Sequence, residues 1–266
     1  MTTQDTVRAL AELAEAEFML RYESGAPTDV QDALGMAATR MGGGVVLSMR
    51  HDPTNYWSKA LGFGFDEPVS GDLIGRVCDF YRAERTPAAV IQIAPDRLPA
   101  DWNEIRAREN ITAGSTWMKL AAEIETLRPG RTDLRVGPVT ADLVDQWASV
   151  VLRCFGMPEE HLGPMLAASV RDPGFHPYAA WDGDEMVAAA NLFIHGAVGA
   201  LNTGATLPSH RGRGAQSALL TARAAAAAQA GCRWVTAETG RPETGTSNSS
   251  LNNMLRVGLT HPVGAD

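Results

Sequence analysis

"LPSHRGRGAQSALL", Leu207–Leu220, interleaves two arginines with two glycines and runs directly into an alanine-rich segment. The stretch before it, "VGALNTGATL", reads as a strand, and the segment after it as a helix from about Gly214 to Ala230 closed by Gly231. A helix N-terminus offers about four backbone N–H groups without intrahelical acceptors and roughly half a positive charge, so such a turn can hold an anion. Gly212 and Gly214 let the backbone approach a ligand closely, while Arg211 and Arg213 add charge-assisted donors. A pyrophosphate is the fitting anion.

Three nucleotide patterns can be compared with this turn. The Walker loop requires a Lys that is absent here. The dinucleotide fingerprint G-x-G-x-x-G is met at Gly212 and Gly214 but has Ser217 in third place, although Glu238 ends the next strand. A dinucleotide-dependent enzyme therefore stays as a minor alternative. The pattern [QR]-x-x-G-x-[GA] fits Arg211 and Gly214, with Gln216 where Gly or Ala is usual.

The surrounding order supports a mixed sheet. After the Pro-Gly-rich segment "RPGRTD" (Arg128–Asp133), "LRVGPVT" reads as a strand, and a helix opens at the cap Thr140. A second helix ("PEEHLGPMLAASV") leads to the strands "YAAWDG", "EMVAAANLFI" and "VGALNTGATL", the first two joined by the hairpin signal "DGDE". Beyond the loop come the alanine-rich helix, the strand "RWVTAET", a polar loop and a helix around Leu251–Val257. The fold class is α+β, a central mixed sheet flanked by helices. In the first half, Thr6–Glu23 and "DLIGRVCDFYRAE" read as helices, "WNEIRARE" as a short helix, "GVVLSMR" as a strand, and "AAVIQIAP" as a buried strand; "STWMKLAAEIE" is ambiguous. Two domains are expected, residues 1–130 and 131–266, divided at "RPGRTD". A weak echo links "NYWSKALGFG" (Asn55–Gly64) with "NNMLRVGL" (Asn252–Leu259).

Arg211-x-x-Gly214, preceded by a strand and Pro208, resembles the acetyl-CoA signature of the GNAT superfamily of N-acetyltransferases, and the resemblance covers about Leu134–Leu259. It implies that the strand before the loop (Ala205, Thr206, Leu207) pairs with the pantetheine arm. The amides of Gly212, Arg213, Gly214, Ala215 and Gln216 then hold the pyrophosphate, and Asn252 or its neighbour Asn253 contacts the arm from the last helix. The N-terminal half looks like the degenerate GNAT-like module of tandem members, without a phosphate loop of its own. Few residues follow Leu259, so either the N-terminal half completes the sheet through "STWMKL" or the cleft is more open than usual.

Acetyl transfer to an amine needs a neutral nucleophile, a polarised thioester and a proton for the leaving thiolate. Glu238 is the candidate base, and Asn202 can orient a water or a substrate. Backbone N–H groups near Thr206 and Leu207 would polarise the carbonyl. The last helix carries Met254 where many family members place a Tyr; Tyr178, His176 and His195 are the remaining acid–base candidates in this half. With a thiol pKa of roughly 8.5, water can protonate the leaving group.

Composition narrows the classes further. The chain has 266 residues, is 45% hydrophobic and carries a formal charge of -8. It therefore lacks the positive footprint a nucleic-acid binder needs and suits a cationic small molecule or peptide amine. Three widely spaced cysteines suggest neither disulfides nor zinc. With no signal pattern and no membrane-length apolar run, a cytoplasmic enzyme without a metal is expected, able to form a homodimer. The competing reading is a CoA-binding regulatory module that has lost its chemistry.

Overall fold

The computed structural model describes residues 3–261. The chain divides into two compact units, one formed by Met1–Ala14 with Thr116–Asp266 and the other by Glu15–Ser115.

In the smaller unit, the later turns of α1 (Thr3–Ser24) and α2 (Thr28–Leu34) precede a sheet of order β1-β2-β3-β4, made of Met36–Met41, Gly44–Met49, Lys59–Leu61 and Val90–Ile91. β1, β2 and β3 pair antiparallel, whereas β3 and β4 pair parallel across the crossover helix α3 (Gly71–Glu84). Val46, Phe63, Leu73, Ile74 and Val77 form its core. "AAVIQIAP" is not the buried strand expected. It keeps two strand residues, one of them the exposed Val90, before Pro95 opens a 3-10 turn. α4 (Trp102–Arg108) follows.

The larger unit holds a six-stranded sheet of order β5-β10-β9-β8-β7-β6. Its strands are β5 (Trp117–Glu123), β6 (Arg135–Pro138), β7 (Phe175–Asp182), β8 (Glu185–His195), β9 (Val198–Thr206) and β10 (Trp234–Gly240). The stretch "STWMKLAAE" resolves as β5 and runs antiparallel to β10, with Lys119 opposite Glu238, so residues from before the Pro-Gly segment complete this sheet. Helices α5 (Val144–Phe155) and α6 (Leu162–Ser169) precede β7; α7 (Ala215–Gln229) joins β9 to β10, and α8 (Ser249–Val257) follows. Thr140 caps only a 3-10 turn, and its side chain makes no cap bond; α5 proper begins at Val144.

The alanines of α7 have a packing reason. A side chain at Gly199 on β9 would meet the Ala227 methyl at 2.8 Å and Leu192 at 2.9 Å, so helix and sheet approach too closely for larger groups. Leu192, Leu201, Leu220, Ala224, Val235, Ala237, Leu251 and Met254 form the core on this side of the sheet. Burial of such apolar surface is worth roughly 25 cal/mol per Å² and supplies most of the driving force for this packing.

Candidate active site

Two irregularities open the sheet. β9 and β10 pair over only three positions, Val198↔Trp234, Gly199↔Val235 and Ala200↔Thr236, and then diverge. The β8–β9 register slips by one residue between Ala189 and Asn191, so Thr203 and Gly204 together face Ala190 as a bulge. Thr203 sits at φ 57, a left-handed conformation that a β-branched residue adopts only where its surroundings impose it. The result is a cleft with β9 on one side and the end of β10 on the other.

The arginine–glycine loop lies at one end of this cleft. Gly214 is the N-cap of α7 at φ 80 and provides no side-chain cap; Gly212 has φ 83. Among the described residues, the N–H groups of Gly212, Arg213, Gly214, Ala215 and Gln216 have no protein acceptor, the first α7 bond being Ala218 N–H to the Gly214 carbonyl. Unpaired amides around a helix start form an anion cradle, so the residues present fit a pyrophosphate. By contrast, Ser70 caps α3 in the smaller unit, accepting from the Leu73 amide at 3.2 Å.

The loop is braced from behind. The segment "RPGRTD", expected as a linker, is docked on it. Thr132 Oγ1 donates to the Arg213 carbonyl at 2.7 Å, and the Gly130 amide donates to Thr221 Oγ1 at 3.3 Å. A Cβ on Gly214 would collide with the Arg131 carbonyl oxygen. The Arg213 guanidinium is gripped by Asp133 and by Asp182, the latter at 2.5 Å. This corrects the expectation of a charged donor there: the Arg213 side chain anchors the loop, which leaves its amide as the group able to meet an anion. The guanidinium in turn holds both aspartates below the usual carboxylate range, through hydrogen bonds first and its charge second. Arg211 is exposed, with its Nε donating to the Thr206 carbonyl at 3.4 Å.

The strand residues are also sorted. The Leu207 amide donates to the Val187 carbonyl at 2.9 Å, which removes it as a donor to a ligand. Hydrogen bonding alternates along an antiparallel ladder, so Ala205 shares that direction and Thr206 presents its backbone on the opposite edge, toward the cleft. The expected trio therefore reduces to Thr206.

Asn202 and Glu238 each lie two residues beyond the last β9–β10 pair, on the face opposite Leu201 and Ala237. Asn202 is buried; its Oδ1 accepts from Asn191 Nδ2 at 3.1 Å and from Thr203 Oγ1 at 2.7 Å. Glu238 pairs with Lys119 at 3.1 Å, and that ammonium also reaches the buried Glu12 of α1 at 3.4 Å. Tyr178 lies opposite Ala190 on β7, its phenol pushed up by burial and eased back by the Arg223 charge. Burial pushes His176 down.

On α8, Asn252 is exposed, while Asn253 donates to Gln216 Oε1 at 2.7 Å. Gln216 Nε2 donates to Ser250 Oγ at 2.7 Å, which accounts for the departure from Gly or Ala: the side chain ties the start of α7 to α8. Met254 is buried in the core. Sequence reading missed Asn248, whose Oδ1 caps α8 and whose Nδ2 holds Thr239 and Gly240 at the end of β10, although Asn before a helical run is a cap signal. It also missed Arg223. The echo between Asn55–Gly64 and Asn252–Leu259 has no structural counterpart, since one segment is a loop with β3 and the other is α8.

No group of metal-ligating side chains occurs among the described residues, and none of their helices is long and apolar enough to cross a membrane. The acetyltransferase (GNAT) family model matches residues 144–247. No curated protein matches the chain. Among solved structures, a GCN5-related N-acetyltransferase from Kribbella flavida superposes with a TM-score of 0.56 at 15% identity, covering 91% of this chain and 92% of that one. A GCN5-related N-acetyltransferase from Sphaerobacter thermophilus gives 0.55 at 14% identity over 85% and 73%. A functionally unknown conserved protein from Staphylococcus epidermidis gives 0.55 at 12% identity over 90% and 95%. Within a mixed α+β chain that shares its fold with these proteins, residues 144–247 are a GNAT acetyltransferase domain.

Proposed function

We propose that the cleft between β9 and β10 binds acetyl-CoA and that the protein transfers the acetyl group directly to the amine of a small molecule or peptide. The observation that carries this reading is the run of unpaired amides from Gly212 to Gln216 at the end of a strand split. The amides hold the pyrophosphate, Arg211 adds charge, Thr206 pairs with the pantetheine arm, and Asn252 meets the arm from α8. The amine enters on the face that carries Asn202 and Glu238. Its nitrogen bonds to the thioester carbon as the carbon–sulfur bond breaks; Glu238 accepts the proton through water, and solvent protonates the thiolate. Asn202 orients the acceptor. We also read the smaller unit as a degenerate second copy of the fold, because its elements and strand pairings follow the same order as α5 to α8.

One observation favours a second reading, a CoA-binding module without chemistry: Glu238 is engaged by Lys119. The test is a melting curve with and without acetyl-CoA on the wild type and on Gly212→Glu. A side chain at Gly212 meets no atom within 4 Å, so that variant places a carboxylate beside the amides with little packing disturbance. Stabilisation by acetyl-CoA in the wild type and not in the variant supports the site, since a ligand of the native state raises its stability. No stabilisation at saturating acetyl-CoA, or protection by NAD(H) instead, refutes it. Thiol release on adding an amine panel then separates enzyme from module.

A further inference from the structure

Arg223 lies on α7, a helix otherwise built of alanine and small residues in its second half, and is 1% exposed. Burying a guanidinium is costly, and an apolar side chain of similar volume would fill the space at less expense. What an arginine adds is a rigid fork of donors. Its Nε donates to the Leu219 carbonyl of its own helix at 3.0 Å. Its Nη1 donates to the Asn191 carbonyl on β8 at 2.5 Å and to the Asn202 carbonyl on β9 at 3.0 Å. Its Nη2 stands 4.0 Å from where a side chain on Gly204 would begin.

These partners flank the register slip. Asn191 and Asn202 are the last matched pair before the bulge, and Ala190 is the residue the bulge faces. From the other side of the sheet, the fully buried Trp147 donates its Nε1 to the Ala190 carbonyl at 3.1 Å. Asn191 Nδ2 and Asn202 Oδ1 join the same pair through their side chains. The carbonyls at the slip are thus held by side chains from helices on opposite faces, and the strained Thr203 backbone is what they enclose.

We infer that Arg223 is a positioning residue: its guanidinium clamps β8 to β9 at the bulge, and so fixes where the cleft-facing edge of β9 meets the acyl end of the cofactor. The catalytic consequence rests on the acetyl-CoA reading; the clamp itself does not. The clamp acts through Asn202 and the bulge and touches no substrate. It predicts separable effects, because the pyrophosphate cradle lies beyond the bulge and needs only its own amides.

The experiment compares Arg223→Met and Arg223→Lys with the wild type, first by hydrogen–deuterium exchange of the free proteins and then by acetyl-transfer kinetics. Leaving two buried carbonyls without their donor should raise exchange across Ala200–Thr206 about tenfold or more in Arg223→Met, with α8 unchanged. Turnover should fall about tenfold while KM for acetyl-CoA stays within about threefold. Arg223→Lys, which can reach one carbonyl, should recover part of both. If Arg223→Met does not fold, the same differences are read in Arg223→Lys. Wild-type exchange across Ala200–Thr206 in either folded variant overturns the clamp; so does unchanged kcat with a raised KM. If the wild type neither binds nor turns over acetyl-CoA, the functional reading fails, and the exchange measurement still decides the clamp.

Discussion

Replacing Gly214 by alanine should damage the protein far more than the same change at Gly212, and the difference isolates the strap behind the loop. Both glycines are left-handed, at φ 80 and φ 83, so each alanine carries a backbone penalty of about 1–2 kcal/mol. At Gly212 nothing lies within 4 Å, and the penalty ends there. At Gly214 the new methyl would fall well inside 3.0 Å of the Arg131 carbonyl oxygen, a backbone atom that cannot rotate away. The strap must withdraw by over an ångström, which breaks the 2.7 Å bond from Thr132 to the Arg213 carbonyl, about 1 kcal/mol, and adds about 1–3 kcal/mol of overpacking strain. The total is about 3–6 kcal/mol for Gly214→Ala. At about 2–4 °C per kcal/mol, that is on the order of 10 °C, against on the order of 3 °C for Gly212→Ala. Calorimetry without ligand measures both. Equal melting temperatures for the two variants would refute the docked strap as the reason Gly214 is glycine.

Two further outcomes are expected. The Arg213 grip lowers the folded-state values of Asp133 and Asp182, so its contribution is present above the ordinary aspartate value of about 3.9 and is lost as pH falls through the lower folded values. The double variant Asp133→Asn with Asp182→Asn should flatten the melting profile below about pH 4. It should also weaken acetyl-CoA protection by loosening the loop. Glu23 in the smaller unit is raised well above its usual range, by burial first and then by the Asp52 charge, and neither of its oxygens has a hydrogen-bond partner among the described residues. A raised carboxyl contributes stability that is full below about 4.3 and is lost as pH rises through the folded value. Glu23→Gln should therefore remove a decline in melting temperature between mildly acidic and alkaline buffer; an unchanged decline would show that another group titrates there.

The elements that carry the candidate site are legible in the sequence because their signals are local. A strand, a loop with two glycines and an alanine-rich helix are contiguous, and the position of Glu238 follows from reading β10 as the next strand. What was not legible depends on partners remote in sequence. Arg213 meets an aspartate eighty residues earlier, so its side chain read as a free donor. Arg223 stands in an alanine run that carries no local signal for it; only the bulge beneath it supplies a reason for burial. The misassigned roles of Ala205 and Leu207 have a simpler cause, since strand alternation cannot be phased until the β8 register is known. The apolar content of "AAVIQIAP" does not make it a buried strand, because β4 has only β3 to pair with and Pro95 ends it.

The repeated element order gives the Pro-Gly segment its meaning. In the smaller unit two helices, three antiparallel strands, a crossover helix and a parallel strand lead to α4; in the larger unit the same series leads to α8. The strand that closes the β10 edge comes after α4, so β5 is added to the sheet of the other series. The face that bears Glu238 is therefore not made by residues 131–266 alone. Lys119 from β5 and Glu12 from α1 both meet at it, and cutting the chain at the segment 128–133 would remove the partner of the candidate base and leave β10 as an open edge. The same segment braces the arginine–glycine loop from behind. A stretch that looks like a joint between two halves thus braces the proposed cofactor loop, and the two ends of the proposed cleft, the arginine–glycine loop and the face of Glu238, each depend on residues that precede the segment matched by the GNAT family model.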